Sequence, residues 1–299
     1  MRSFTVREAT AAGLTRGRLR GPDLSAPFHG VRISSPDPDL RLRAEALLAT
    51  LSPGAVLSHL TAARLWPLDL PPAQAEEPLH VAVRAPARAP RHRGVVGHAV
   101  SDSAVHRVVR AGLPLTDGAS LWCHLATLLE LDDLVAVGDA LVRTPHRGDP
   151  ADPRPWVPLP VLAERVERFR GRGAARLHQA LGLVRDGAES RPETRFRLAS
   201  LRAGLPEPLL QVPLFSPAGE FIGRPDGFYP VEKVAWEYEG DAHRTSNRQF
   251  ARDIGRYDDF AAIGVRHVRI VAAEFLPHPE QSVERLRRAL RDRSVTKGS

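Results

Sequence analysis

At 299 residues, 42% hydrophobic and 26% charged, the chain has material for one large domain or two to three small ones and is not wholly disordered. The net charge of +7, almost all from arginine (Lys233 and Lys297 are the only lysines), fits a polyanionic partner, though a bias towards Arg, Ala, Gly and Pro produces the same excess. Cys123 alone excludes an intrachain disulfide and a cysteine-based zinc site.

No apolar run approaches the ~20 residues of a bilayer span, and MRSFTVREAT lacks the apolar segment of a signal peptide. A cytoplasmic protein without membrane contact is expected. Phe4–Ala12 and Leu14–Arg20 read as short helices, the second headed by Thr15, and Phe28–Ile33 as a short strand after Pro27. That order is the order of a winged helix-turn-helix, with Arg16, Arg18 and Arg20 on or beside the recognition helix, where phosphate and major-groove contacts are made. A small helical cap with a solvated basic face is the alternative.

Leu40–Leu51 carries a helical stripe, and Ser58–Trp66 a second helix that Pro67 helps to end. Past the proline-rich stretch Pro71–Pro78, Leu79–Val83 reads as a buried strand with Val95–Val100 as its partner, joined by an exposed loop, Arg84–Arg93. Leu121–Arg143 is strongly apolar and divides into two helices at Leu131–Asp133. Pro145–Pro160 is a linker or surface loop, and Leu162–Arg170 and Ala174–Val184 are helices with outward arginines.

From Glu189 the character changes. Pro192–Arg202 is a helix, with Ser190 or Arg191 ahead of it, Pro192 in its first turn and Gly204 at its end, and it carries Glu193 early. Strands are expected at Leu209–Phe215, Phe221–Tyr229 and Val234–Glu239. A turn centred on Val231 and Glu232 sets Asp226 opposite Glu237 and Arg224 opposite Glu239. Period-two alternation then puts Asp226, Glu237 and Glu239 on one face with Phe228 and Ala235, and Trp236 and Tyr238 on the other.

Carboxylates gathered so repel unless a cation or proton neutralises them. Oxygen-only donors suit Mg²⁺ or Mn²⁺, which keep waters for a phosphate substrate. An exposed hairpin edge with ordinary surface acids is the alternative. Beyond Gly240, His243 suits general acid–base work or phosphate orientation, and Arg244, Arg248, Arg252 and Arg256 suit a phosphate track or a solvated helix face. Gly264–Val271 is a last strand and Pro279–Arg291 a last helix.

The stretches Glu189–Arg197, Gly223–Phe228, Val234–His243 and Asp253–Arg256 running on to Gly264–Ile270 resemble the PD-(D/E)XK superfamily, in particular the domain of very-short-patch-repair endonucleases and DUF559 proteins. The likeness covers roughly residues 188 to 275. It implies a mixed central sheet, Mg²⁺-dependent phosphodiester cleavage, metal ligation by Asp226 with Glu237, Glu193 as the helix acid and His243 as an active-site histidine. The superfamily's lysine is replaced by Glu239, which implies either a further metal ligand, with His243 or an arginine in the lysine's part, or loss of activity. Gly13–Leu19, Gly30–Ile33 and Ser58–Trp66 are similar to the winged-helix antitoxin of the abortive-infection AbiEi type, which implies DNA binding and a possible protein partner in a defence or toxin–antitoxin setting.

The expected fold is therefore α/β (α+β). A winged-helix-like region at 1–70 and a mixed connecting region at 71–187 precede a restriction-endonuclease-like domain at 188–299, whose central mixed sheet is flanked by helices. A metal-dependent DNA endonuclease is the first functional expectation, with RNA an open alternative substrate. A non-cleaving DNA-binding regulator or antitoxin-like protein with a degenerate nuclease fold is the second.

Overall fold

The computed structural model describes residues 3–72, 78–101, 106–240 and 257–295. The chain is α+β and divides into two compact units, Met1–Leu129 with Pro160–Leu177, and Glu130–Leu159 with His178–Ser299. Segments 1–70 and 71–187 of the sequence reading thus share the first unit, apart from residues 130–159 and 178–187. Among the described residues no helix is long and apolar enough to cross a membrane.

The first unit begins with β1 (Ser3–Thr5) antiparallel to β2 (Val31–Ile33), with α1 (Val6–Ala11) between them in sequence. Thr5 and Glu8 close a reciprocal capping box, which is why the helix starts there: the Thr5 hydroxyl accepts from the Glu8 N–H at 3.1 Å and the Thr5 N–H donates to Glu8 at 2.8 Å. The α-helix expected over Leu14–Arg20 is instead a single 3-10 turn, Arg18–Arg20. Gly13, Gly17 and Gly21 each disfavour helix by about 1 kcal/mol relative to alanine, and only Leu19 is buried to offset them.

Then come α2 (Leu40–Leu48), capped by Asp39, β3 (Val56–Leu57), α3 (His59–Leu65), β4 (Leu79–Arg84), β5 (Val95–Val100), β6 (Arg107–Arg110), β7 (Leu113–Thr116) and α4 (Gly118–Leu125). The strands form one sheet in the order β5-β4-β3-β7-β6. The expected partnership of β4 and β5 is present and parallel, from Leu79↔Val95 to Arg84↔Val100. Strands β3, β6 and β7 went unread because they are short, and β6 and β7 are joined by a turn at Ala111 and Gly112, both at positive φ.

In the second unit α5 (Leu131–Val142) is tied to α8 (Arg191–Arg202); between them in sequence come α6 (Leu159–Arg168), which from Pro160 on belongs to the first unit, and α7 (Ala174–Leu183), whose residues from His178 on belong to the second. Each acid of α5 takes an arginine of α8: Asp132 with Arg202, Asp133 with Arg191, Asp139 with Arg197. The last pair is fully buried. Arg197 donates to Asp139 at 3.0 Å, to Glu207 at 2.9 Å and to the Leu183 carbonyl at 2.8 Å, while Asp139 also accepts from Thr194 at 2.8 Å and the Arg185 N–H at 2.7 Å. Burial pushes the Asp139 carboxyl up to about 6 against the opposing pull of Arg197.

The two long strands expected over 209–229 are each broken, giving β8 (Leu209–Leu210), β9 (Leu214–Phe215), β10 (Phe221–Gly223) and β11 (Gly227–Tyr229). Gln211 has φ +51°, off the strand region, and Pro213 and Pro225 lack the N–H a ladder needs. After β12 (Val234–Glu239), residues 257–262 are helical, followed by β13 (Arg266–Val271), α9 (Ala272–Phe275) and α10 (Pro279–Val295). The mixed sheet runs β13-β12-β11-β8, with β12 and β13 parallel and the rest antiparallel.

Its hairpin register is the one expected: Gly227↔Trp236, Phe228↔Ala235, Tyr229↔Val234. Tyr229, Val234, Trp236, Val268 and Ile270 pack on one side with Phe196 of α8 and Leu286 of α10. Phe228, Ala235, Phe260 and Val265 form the other side. Burying Phe196 fully contributes on the order of 2–3 kcal/mol, and its ring meets Trp236 edge-on at 4.8 Å. Gly227 is required here, because a Cβ would lie 2.1 Å from the Trp236 indole nitrogen.

Candidate active site

Strand register brings the site together. Asp226 directly precedes β11, so the ladder that pairs Gly227 with Trp236 and with Leu210 flanks it with Glu237 on one side and Gln211 on the other. Its carboxylate accepts from the Tyr238 N–H at 2.7 Å and from the Gln211 amide at 3.2 Å. Burial first, then the Glu193 carboxylate, push the Asp226 carboxyl well above the usual range, with Glu237 adding to the rise and the two hydrogen bonds opposing it.

Glu193 arrives from the first turn of α8, where Ser190 is the cap: the Ser190 hydroxyl donates to Glu193 at 2.7 Å, and the other carboxylate oxygen accepts from the Glu189 N–H at 2.8 Å. Burial raises the Glu193 carboxyl against those bonds, and Glu189 adds to the rise. Glu237, also buried, lies 2.9 Å from His267 Nε2 on β13. Glu239 is held by Arg269 in a two-point contact, Nε to one carboxylate oxygen and Nη2 to the other, and accepts from the Tyr257 hydroxyl at 2.6 Å. Burial works upward on Glu239, but these partners outweigh it and hold the carboxyl below its ordinary value.

Asp226 therefore feels the charge of both Glu193 and Glu237, while Glu239 is neutralised locally. The three acids do not converge as a metal-ligating group; among the described residues only His59, His80 and His98, in the first unit, form one. Each acid turns to its own neighbours: Glu193 accepts at its helix start, Asp226 accepts from Gln211 and Tyr238, and Glu237 lies against His267. Carboxylate oxygens are the hard donors that Mg²⁺ or Mn²⁺ prefers, so the donor chemistry suits such an ion although the three side chains do not converge on one point.

A cleft of ≈ 680 Å³ opens beside Gln211, with Arg143, His146, Arg147 and Arg224 on its walls. Arg143 is 3.5 Å from Glu189. At the N-terminus Arg16, Arg18 and Arg20 are all exposed, and Arg18 is paired with Asp23 at 2.6 Å. His243, Arg244, Arg248, Arg252 and Arg256 lie outside the described residues. Sequence reasoning missed Gln211, Tyr257, His267 and Arg269. His267 and Arg269 alternate onto the face of Glu237 and Glu239, a signal readable only once β13 is known to run parallel to β12. No family model matches the chain, and no curated protein matches it either.

Proposed function

We propose that the second unit is a divalent-metal-dependent endonuclease of the PD-(D/E)XK kind that hydrolyses DNA phosphodiesters, with the exposed arginines Arg16, Arg18 and Arg20 as a second DNA contact in a winged-helix-like N-terminus. The observation that carries this reading is the hairpin register that sets half-buried Asp226 beside Glu237, where desolvation, then the charges of Glu193 and Glu237, push its carboxyl up. A group so placed is satisfied by a proton or by a cation.

Asp226, Glu237 and Glu193 would hold Mg²⁺ or Mn²⁺, which would supply charge at the phosphoryl oxygen and lower the pKa of a coordinated water. Gln211 and the Tyr238 N–H orient Asp226, and His267 orients Glu237, as partners of ligands commonly do. Arg147 and Arg224 in the neighbouring cleft bind the strand's phosphates. Arg269 supplies positive charge beside the position where the resembling family carries lysine.

Two observations favour a second reading, a non-cleaving DNA-binding regulator: the acids form no converging group, and Glu239 is already paired with Arg269. Nicking of supercoiled plasmid separates the two. Mg²⁺ or Mn²⁺ should permit nicking, and EDTA, Asp226→Ala or Glu237→Ala should abolish it in protein that remains folded by circular dichroism. Salt-sensitive DNA binding without any metal-dependent nicking would leave the regulator.

A further inference from the structure

We infer that the first unit carries a second metal site, unrelated to the carboxylates, in which His59, His80 and His98 bind a first-row divalent transition ion, Zn²⁺ foremost. Their donor nitrogens all lie within 4.8 Å of one another, and His80 Nδ1 is 3.0 Å from His98 Nε2. Four-coordinate zinc with Zn–N bonds of about 2.0–2.1 Å separates neighbouring nitrogens by about 3.4 Å, inside that span.

The fold explains the convergence. β4 and β5 are parallel, with His80 opposite Val96 and Ala82 opposite His98, so the two histidines lie one pleat apart on the same face. His59, the first residue of α3, joins them from a left-handed backbone conformation, φ +47°, that a side chain with a Cβ seldom adopts. Ser58, the residue before it, places its hydroxyl 3.0 Å from His59 Nδ1. That contact leaves Nε2 as the ligating atom, the usual division of labour in a metal-bound histidine. His124 of α4 stacks on His59 at 4.8 Å and walls the cluster on another side.

The donor chemistry selects the ion. Imidazole without carboxylate excludes Mg²⁺ and Ca²⁺ and suits zinc, copper, nickel or iron. Three protein nitrogens leave a fourth coordination position for water or an anionic ligand. The rings of His59 and His98 are stacked 3.5 Å apart at 14°. One ion cannot lie in both ring planes in that arrangement, so binding turns one ring out of the stack.

The test uses the full chain with Asp226→Ala and Glu237→Ala, which removes the carboxylate site, stripped with chelator and titrated with Co²⁺. Visible absorption of four-coordinate Co²⁺ at one ion per chain, displaced by Zn²⁺ but not by Mg²⁺, is expected, together with a rise in melting temperature on adding Zn²⁺. His98→Ala, on the edge strand β5, and His80→Gln should each weaken binding at least about 100-fold and lose that thermal rise; melts in chelator establish that the variants are folded. Absence of the Co²⁺ spectrum in the parent, or undiminished affinity in folded His98→Ala, would overturn the site.

Discussion

Replacing Asp226 by asparagine removes one charge from the acid cluster while preserving its shape. The new amide oxygen still accepts from the Tyr238 N–H, and the Gln211 amide, which now donates at 3.2 Å, need only turn over to offer its own oxygen. What disappears is the repulsion from Glu193 and Glu237 and the cost of burying a carboxylate. Relief of a strained functional site typically stabilises by about 0.5–2 kcal/mol, read as a rise of about 2–4 °C per kcal/mol in a domain of about 150–250 residues. In EDTA, Asp226→Asn should therefore melt above the parent. With Mg²⁺ the order reverses: at a hundred times its Kd the ion stabilises the parent by about 2.7 kcal/mol and leaves the variant unmoved. Differential scanning fluorimetry in the two buffers reads both effects. A variant less stable than the parent in EDTA, with an unchanged Mg²⁺ shift, would refute the reasoning and make Asp226 a purely structural acceptor for Tyr238.

Asp139→Ala strands the Arg197 guanidinium in the core and should cost about 3–5 kcal/mol in urea unfolding; a loss under about 1 kcal/mol would show that Glu207 and the Leu183 carbonyl suffice. Gly227→Ala sets a methyl against the Trp236 ring and should cost about 1–3 kcal/mol, checked by the same titration. Charge reversal at Arg224 or Arg147 should weaken DNA binding and flatten its salt dependence, whereas equal slopes for variant and parent would exclude that cleft as the phosphate track.

How far the sequence could be read depended on how local each determinant was. The β11–β12 hairpin was legible because alternation over Val234–Glu239 and a turn at Pro230–Lys233 fix register between neighbours in the chain, and with it the juxtaposition of Asp226 and Glu237. Helices α5 and α8 were legible for the same reason, but the acid–arginine ladder between them was not, since its members are some sixty residues apart. The N-terminal recognition helix failed where glycine overruled a loose apolar pattern. The histidine cluster was invisible: Ser58–Trp66 read as a plain helix and Leu79–Val83 as a plain strand, and only the crossing of α3, β4, β5 and α4 brings the rings together.

Crystals of the full chain grown with Mn²⁺, with data collected at the manganese absorption edge, test the central claim most directly. The account predicts an anomalous peak within bonding distance of Asp226 and Glu237, with Glu193 swung towards it from its helix start. A saturating Mn²⁺ concentration that leaves those carboxylates as they stand here, each on its own protein donors and with no peak between them, would contradict it.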